Sequence, residues 1–525
     1  MQIPFLSDLQ CQLTFAHVLL LVLLLLTLVY YLYATSYHGV WEKYNVPGPR
    51  PWPILDHTIE LRAGVNAAFK KWFNVYGNTF GAYGLLPHRA TLVTKDLSLV
   101  KQILVKDFDN YSYRIRSQES QSSIRNGLSS AGGDRWRRHR QVASPMFTGS
   151  KMKMIINHVC ASAETLTEFV KQSLINEKLV PIKFISSKFS AEVIARIGFG
   201  ISSQQAAKEE TEFAKFATNF AKLTDFKYFV NSARYYFPPI DKILRLLNID
   251  VDFVDKSADT YFVSILKSTI EERQKEAPRT NGRKARDMLD LFTDAAVENG
   301  DPRLQDVNSK TLSLDEIIGN ATALIIAGVE TVSSSLQSIL YCLVFYPDIQ
   351  ENVVKEINRV IPPGQALEYE HLQELKYTEQ VISECLRLFP LITSVFRLAK
   401  ETRKYNDITI PAGCSIQIPI GLIMKDPEHW PEPEKFDPGR FSPTNKSGRD
   451  PLAFMPFGYG PRLCLGMRLA LLELKVILVY LLKEVQFTLS DRTQPKKGEI
   501  IKMETMGMAF LRPVKPVALE VNPRK

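Results

Sequence analysis

Between Phe457 and Gly466 the chain reads Phe-Gly-Tyr-Gly-Pro-Arg-Leu-Cys-Leu-Gly, and an apolar stretch from Met467 to Leu482 follows at once. Two glycines and a proline force a turn, because glycine reaches positive φ freely and proline fixes its own. Cys464 therefore emerges where a long apolar helix begins. A helix N-terminus carries positive potential and spare N–H groups, which favour the thiolate, the form that ligates metal or attacks. Gly460 and Gly466 leave room for close approach of backbone or of a flat cofactor. A structural cysteine at a helix start also fits Cys464 taken alone. The spacing Phe-x-x-Gly-x-Arg-x-Cys-x-Gly as a whole argues for chemistry.

A second feature bounds the other end of the chain. Leu13 to Ala34 runs for 22 residues without Asp, Glu, Lys or Arg, roughly 33 Å as a helix and enough to cross a bilayer. A cleaved signal peptide would have a shorter apolar region and a basic start, whereas this one carries Asp8. Lys43 and Arg50 are the first basic residues beyond the run, so the positive-inside rule puts everything after it in the cytosol. Tyr30, Tyr31, Tyr33 and Trp41 are expected at the interface. On this reading Asn110, Asn320 and Asn445, which begin glycosylation sequons, stay unused. The expected division is a short lumenal N-terminus (1–12), an anchor (13–34), a proline-rich hinge (35–53) and a single catalytic domain (54–525).

Of the 525 residues, 45% are hydrophobic and 23% charged, an ordinary globular balance that excludes wholesale disorder. The net charge of +9 is spread along the whole chain, too dilute for nucleic-acid binding. The six cysteines lie far apart and none forms a zinc spacing. Ser313-x-x-Glu316 is a capping box opening the longest helical signal, which runs to about Tyr346. Residues 151–275 carry helical spacing, and Arg273 to Arg286 reads as a basic surface loop. Arg89–Thr94 reads as a strand, and Asp407–Ile420 as a hairpin turning at Pro411-Ala412-Gly413. The fold class is mainly α with minor β.

The decapeptide resembles the cysteine loop of the cytochrome P-450 family, the haem-thiolate monooxygenases, with Phe457, Gly460, Arg462, Cys464 and Gly466 at every fixed position. Other segments match in order and spacing from about Pro47 to the C-terminus. Glu384-Cys385-Leu386-Arg387 is similar to the family's E-x-x-R, and Arg440 to the third partner of its buried Glu-Arg-Arg cluster, although Gly439 departs from the glutamate often found there. Trp136 to Arg140 matches W-x-x-x-R, with both residues on one helix face, and Ala327-Gly328-Val329-Glu330-Thr331 matches the oxygen-binding A-G-x-E-T.

The resemblance implies the P-450 fold behind one transmembrane helix, with haem b (iron protoporphyrin IX) as cofactor. Cys464 would be the axial thiolate, which pushes electron density to the iron, and Phe457 would pack beneath the porphyrin. Trp136, Arg140, Arg114, Arg397 and Arg462 would hold the propionates. Thr331 would hold a water beside bound dioxygen, Glu330 would help relay protons, and a kink would open the helix there. His139 would not be a ligand, and Arg137 and Arg138 would face solvent, where an electron donor docks. Tyr37-His38-Gly39-Val40-Trp41 and the Val46–Pro53 segment look most like the animal microsomal enzymes of broad substrate range, which oxidise drugs and steroids. The partners implied are NADPH–haemoprotein reductase, cytochrome b5, a lipophilic substrate, dioxygen and the endoplasmic reticulum membrane. Two rival readings are a haem-thiolate isomerase acting on lipid peroxides without a reductase, and a haem carrier without turnover.

Overall fold

The computed structural model describes residues 4–62, 64–85, 89–114, 122–176, 179–200, 212–219, 240–247, 249, 254–275, 287–496, 503–506, 510–513 and 517–524. They gather into two compact units, one of Met1–Asp96, Phe229–Ile249 and Leu398–Gln417, the other of Leu97–Tyr228, Asp250–Arg397 and Ile418–Lys525.

The first unit opens with α1 (Pro4–Thr35). The stretch Ala16–Thr35, with mean hydropathy 2.4, is long and apolar enough to cross a membrane, and its leucines stand exposed all round, Leu21 at 68%. Such a surface suits lipid, where a helix satisfies its own backbone. Helices α2 (Val40–Lys43) and α3 (Val65–Tyr76), with a single turn at Thr58–Leu61 between them, lead to strands β1 (Thr79–Ala82) and β2 (Thr91–Thr94). Phe69, Trp72 and Phe73 of α3 recur at helical spacing and close on Phe80 of β1, with ring centroids 5.0–5.8 Å apart.

Side-chain contacts hold the segment after α1. Asp56, buried in a left-handed conformation (φ 49), accepts from the Tyr37 hydroxyl at 2.5 Å and lies 2.7 Å from His38 Nε2. Trp41 was expected at the membrane interface, yet it is buried, and its indole N–H donates to the Ala82 carbonyl at 3.2 Å. The turn of α2 lays it against the sheet, where its ring removes more surface from water than an interface would.

Strands β3 (Arg403–Tyr405), β4 (Ile408–Ile410) and β5 (Ser415–Ile418) correct the expected hairpin. The turn at Pro411–Gly413 exists, but its two flanks do not pair with each other. Instead β4 pairs antiparallel with β3 across the two-residue loop Asn406-Asp407, with Asn406 at φ 51, while β5 runs parallel to β2. Asparagine tolerates the positive φ that a two-residue turn needs, so the tighter loop wins.

The second unit is helical: α4 (Gly133–Ala143), α5 (Gly149–Asn176), α6 (Ile182–Phe199), α7 (Lys256–Lys275), α8 (Leu314–Phe345), α9 (Pro347–Val360), α10 (Lys376–Leu388) and α11 (Met467–Glu484). Strands Leu179–Pro181, Val485–Thr488 and Ala518–Pro523 form a small antiparallel sheet at its side. The whole is mainly α with minor β, as expected. Helices α5, α6, α8 and α11 build one core from residues such as Val159, Ile185, Leu336 and Leu478. Like α1, α8 is long and apolar enough for a membrane, but it is mostly buried. The capping box at its start is present in full: the Ser313 hydroxyl accepts from the Glu316 N–H, and Glu316 accepts from the Ser313 N–H. Arg273, placed at the head of a basic loop, ends α7 and pairs with Asp287 and Asp290; residues 276–286 lie outside the described residues. Asn110 and Asn320 are buried, which closes two of the sequons to glycosylation.

Candidate haem-thiolate site

The cysteine loop is built as its glycines require. Gly460 sits at φ 74, and a Cβ there would fall 2.1 Å from the Leu104 carbonyl oxygen, so only glycine fits. Gly466 is under no such pressure, because a Cβ would meet Phe147 at an ordinary 3.7 Å. The Cys464 N–H donates to the Phe457 carbonyl at 2.9 Å and closes the loop just before α11. Phe457 is half-buried against the core. Among the described cysteines Cys464 alone is exposed, although protein encloses it on most sides, so its thiol opens on an interior surface of the unit. Burial pushes that thiol up from its ordinary value. The N–H of Gly466, the guanidinia of Arg140 and Arg114, and the N–H of Met467 pull it down without prevailing. The helix start thus favours the thiolate as expected, and desolvation outweighs it.

Four arginines surround this surface. Burial and the neighbouring Arg114 press Arg397 down to about 9, and burial with Arg114, Arg397 and Arg140 presses Arg462 down to about 8. Among the described residues none of Arg114, Arg140, Arg397 and Arg462 has a carboxylate partner. Guanidinia in a protein stay charged, so such values mark positive charge that lacks an answering anion. Arg397, 2% exposed, donates from Nη1 to the adjacent Phe396 carbonyl at 2.8 Å and leaves Nε with no acceptor. Arg462 is better satisfied. It donates to the Ser112 carbonyl at 2.7 and 3.0 Å and to that of Ala131, with its guanidinium 4.7 Å over the Trp136 ring.

Helix α4 shows two faces. Trp136 and Arg140 share one, as their spacing predicts. Arg135, Arg138 and His139 share the other and converge on Glu316 of α8: Arg138 donates to both carboxylate oxygens at 2.8 Å, Arg135 Nε at 3.0 Å, and His139 Nε2 lies 3.0 Å away. Arg138 was expected in solvent beside Arg137, but it is buried and also holds the Thr311 carbonyl. Arg137 is partly exposed and paired with Asp134 and Asp109. Position 138 falls two residues past Trp136, which turns it toward α8. Burial pushes the Glu316 carboxyl up, yet the hydrogen bonds from His139, from Arg138 and from the Ser313 N–H outweigh it, holding the group well below the usual carboxylate range. His139 is confined between Glu316 and Asn320, and burial lowers its pKa.

On α8 the segment Ala327–Thr331 divides. A Cβ on Gly328 would lie 2.3 Å from Ile194 Cδ1, so this glycine lets α6 pack closely. Ala327 is exposed and Thr331 half-exposed while Ile325 and Val329 are fully buried. Ala327 and Thr331, one turn apart, therefore share the accessible side of α8. The helix is continuous from Leu314 to Phe345, and the Thr331 hydroxyl donates to the Ala327 carbonyl at 2.6 Å. Glu330 turns the other way, toward α6, where Lys183 Nζ donates to both of its oxygens at 2.8 Å.

The E-x-x-R pair is buried completely. Arg387 donates to Glu384 through Nε at 2.7 Å and Nη2 at 2.8 Å, and Arg440 Nε lies 3.4 Å from the same carboxylate. Sequence reading missed Trp430, which is sandwiched between Arg387 at 5.1 Å and Arg449 at 3.7 Å. It also missed Lys183. Trp430 stands in a proline-rich irregular stretch, where no periodicity marks a core residue.

A thiol on an interior surface with four unanswered guanidinia suits a ligand that brings a metal for the sulfur and two carboxylates for the arginines, which is the definition of a haem-thiolate protein. The model for the cytochrome P450 family matches residues 46–521, and the chain belongs to that family. It is similar over nearly its whole length to cytochrome P450 3A29 of Sus scrofa (32% identical, 94% of each chain). Cytochrome P450 3A41 of Mus musculus (31%, 97% of this chain and 96% of the relative) and cytochrome P450 3A7 of Homo sapiens (31%, 94% of each) stand at similar distance. The chain is a haem-thiolate monooxygenase with iron protoporphyrin IX as its cofactor.

Proposed function

We propose that this enzyme oxygenates lipophilic molecules (xenobiotics, steroids or fatty acids) at the cytosolic face of the endoplasmic reticulum. Electrons come from NADPH through NADPH–haemoprotein reductase, with cytochrome b5 as a second donor. Residues 1–12 are lumenal, 13–34 span the bilayer, 35–53 connect, and 54–525 form the catalytic body. The exposed apolar surface of α1 supports the anchor, and Lys43 and Arg50 support the orientation.

Bound haem supplies dioxygen reduction and transfer of one oxygen atom to the substrate. The chain supplies the setting. Cys464 would ligate the haem iron, Phe457 would pack against the porphyrin, and Arg114, Trp136, Arg140, Arg397 and Arg462 would take the propionates. Glu384, Arg387 and Arg440 brace the segment that leads to the cysteine loop. The observation that carries the reading is the Thr331 hydroxyl. Its proton is engaged by the Ala327 carbonyl, so its lone pairs are free to accept from a water on the interior surface. Thr331 holds that water as proton donor, and Glu330 resupplies it.

The test is Thr331→Ala, measured as product and hydrogen peroxide per NADPH consumed with reductase present. Haem content and substrate binding persist, while coupled product falls toward the ~10²-fold low end of a lost acid–base group. Equal coupling in both proteins removes Thr331 from the mechanism. Full product without reductase or NADPH would favour the isomerase reading.

A further inference from the structure

The single turn Ser123–Asn126 rests on α8 two turns before Ala327. A Cβ on Gly127 would fall 2.5 Å from the Gly319 carbonyl oxygen. One on Gly319 would fall 2.7 Å from the Gly127 nitrogen and 2.8 Å from the Ser123 carbonyl oxygen. Backbone therefore lies directly on backbone. Leu128, just beyond, donates its N–H to the Asn320 side-chain oxygen at 2.7 Å. Asn320 and Ala327 are seven residues apart, so they share one side of the helix. Along that side Asn320 is buried, Ala323 half-buried and Ala327 exposed. The turn forms the rim at which the accessible side of α8 begins.

The two ends of this rim are held differently. At Leu128 the grip is buried and backed, because the Asn320 side chain also lies 3.2 Å from His139 Nδ1, and His139 Nε2 lies 3.0 Å from Glu316. Arg135 adds a bond to the Asn126 carbonyl at 3.2 Å. At Ser123 the bonds come from one side chain on another helix. Asp259, in the first turn of α7, accepts from the Ser123 N–H at 3.1 and 3.2 Å and from its hydroxyl at 2.6 Å. Among the described residues Ser123 is the sole hydrogen-bond partner of the Asp259 carboxylate, and Asp259 is partly exposed. Helix α7 makes a fixed post for it. Phe262 and Leu266 line one apolar cavity with Ile325 of α8, and Arg273 ties the far end to Asp287 and Asp290. Charge-assisted bonds are strong, yet this set breaks when water takes the carboxylate, and Leu128 is then the pivot.

We propose that Asp259 latches this rim and sets how fast bulky lipophilic molecules reach and leave the accessible side of α8. This rests on the reading that substrate is oxygenated beside Thr331. Asp259 is a positioning residue that acts through Ser123. A rim that is closed nearly all the time costs binding almost nothing, because apparent affinity falls only by the fraction of enzyme in the competent state. Weakening the latch therefore lowers the barriers to entry and exit together and leaves the dissociation constant where it was. The latch selects by bulk, since only a molecule too large to pass the closed rim must wait for it to lift.

The test uses full-length holoenzyme, wild type against Asp259→Ala, Asp259→Asn and Ser123→Ala, mixed rapidly with 1-tritylimidazole. The free ring nitrogen of this bulky lipophilic probe reports its arrival by shifting the haem absorbance. Asp259→Ala is expected to raise the association and dissociation rates alike by about tenfold, because bonds to a charged group are lost. Ser123→Ala keeps its N–H and is expected to raise both by about threefold. Asp259→Asn, whose amide oxygen still accepts, falls between. Amide exchange gives a reading that needs no haem, faster at Ser123 and unchanged at Leu128. A lowered thermal midpoint with both rates as in wild type would make the contact merely structural and overturn the proposal; so would a change in one rate alone. If the wild type itself gives no shift with the probe, the substrate reading falls and the latch with it. A normal shift at unaltered rates in every variant sinks the latch alone.

Discussion

At Arg397 a buried cation has, among the described residues, one acceptor, the carbonyl beside it, and a repelling neighbour in Arg114. An uncompensated buried charge destabilises a fold by several kcal/mol. Arg397→Leu is therefore expected to stabilise the haem-free protein by about 1–3 kcal/mol while weakening haem retention about tenfold to a hundredfold, the worth of one charge-assisted hydrogen bond. Thermal midpoints of the haem-free forms and haem transfer to an acceptor protein measure the two effects. Equal stability in both haem-free forms would remove the argument that Arg397 awaits an anion. Cys464 and its arginines were legible as members of a spaced motif, but the lack of counter-charge was not, because charge balance in a site depends on residues hundreds of positions apart. At Gly328 the motif suggested a kink or local opening, and the structure adds a close approach of Ile194 that no spacing announced.

Between elements, Glu316 does two jobs. It closes the capping box of α8 and takes the positive face of α4. Its folded pKa is depressed, so the stability it contributes is present above the unfolded carboxylate value of about 4.3 and is lost as pH falls toward the folded value. His139, depressed by burial, adds a loss of the same sign below about 6.5, since a neutral buried imidazole must charge on unfolding. Glu316→Gln is expected to lower stability by about 3–5 kcal/mol at pH 7, because it leaves Arg138 buried without its anion. It should also flatten the acid limb below pH 5. Haem absorbance followed on titration to low pH reads both; an acid limb as steep as wild type would show that Glu316 does not titrate in this range. Sequence spacing displayed the capping box in full and nothing of the second job, because local periodicity does not say which helix a face will meet. The β3–β4 loop was a different failure. Asn406-Asp407 between Tyr405 and Ile408 is a turn signal in its own right, overshadowed by the proline and glycine a few residues on.

For the molecule as a whole, the hydrogen bond from Tyr37 to Asp56 falls three residues beyond the proposed anchor. Deleting residues 1–34 should leave a haem-containing protein of near wild-type stability. Deleting 1–43 also removes buried Trp41, at a cost of about 3–5 kcal/mol. Haem per mole of purified protein and the thermal midpoint distinguish the two truncations; equal midpoints would place Trp41 outside the fold. The anchor was the plainest feature of the sequence, since a bilayer-length run of leucines has few other uses. The linker misled, because prolines announce a stiff segment without saying what it rests on. What it rests on is Asp56, which grips Tyr37 and His38 just past the end of α1. A helix of 32 residues is about 48 Å long, and one clamped at its root behaves as a lever rather than a tether. A spanning helix meets a change in hydrocarbon thickness by tilting, and here the two residues that Asp56 holds follow α1 almost at once. The connection from Ser36 to His38 is too short to leave such a helix much slack between the membrane and Asp56.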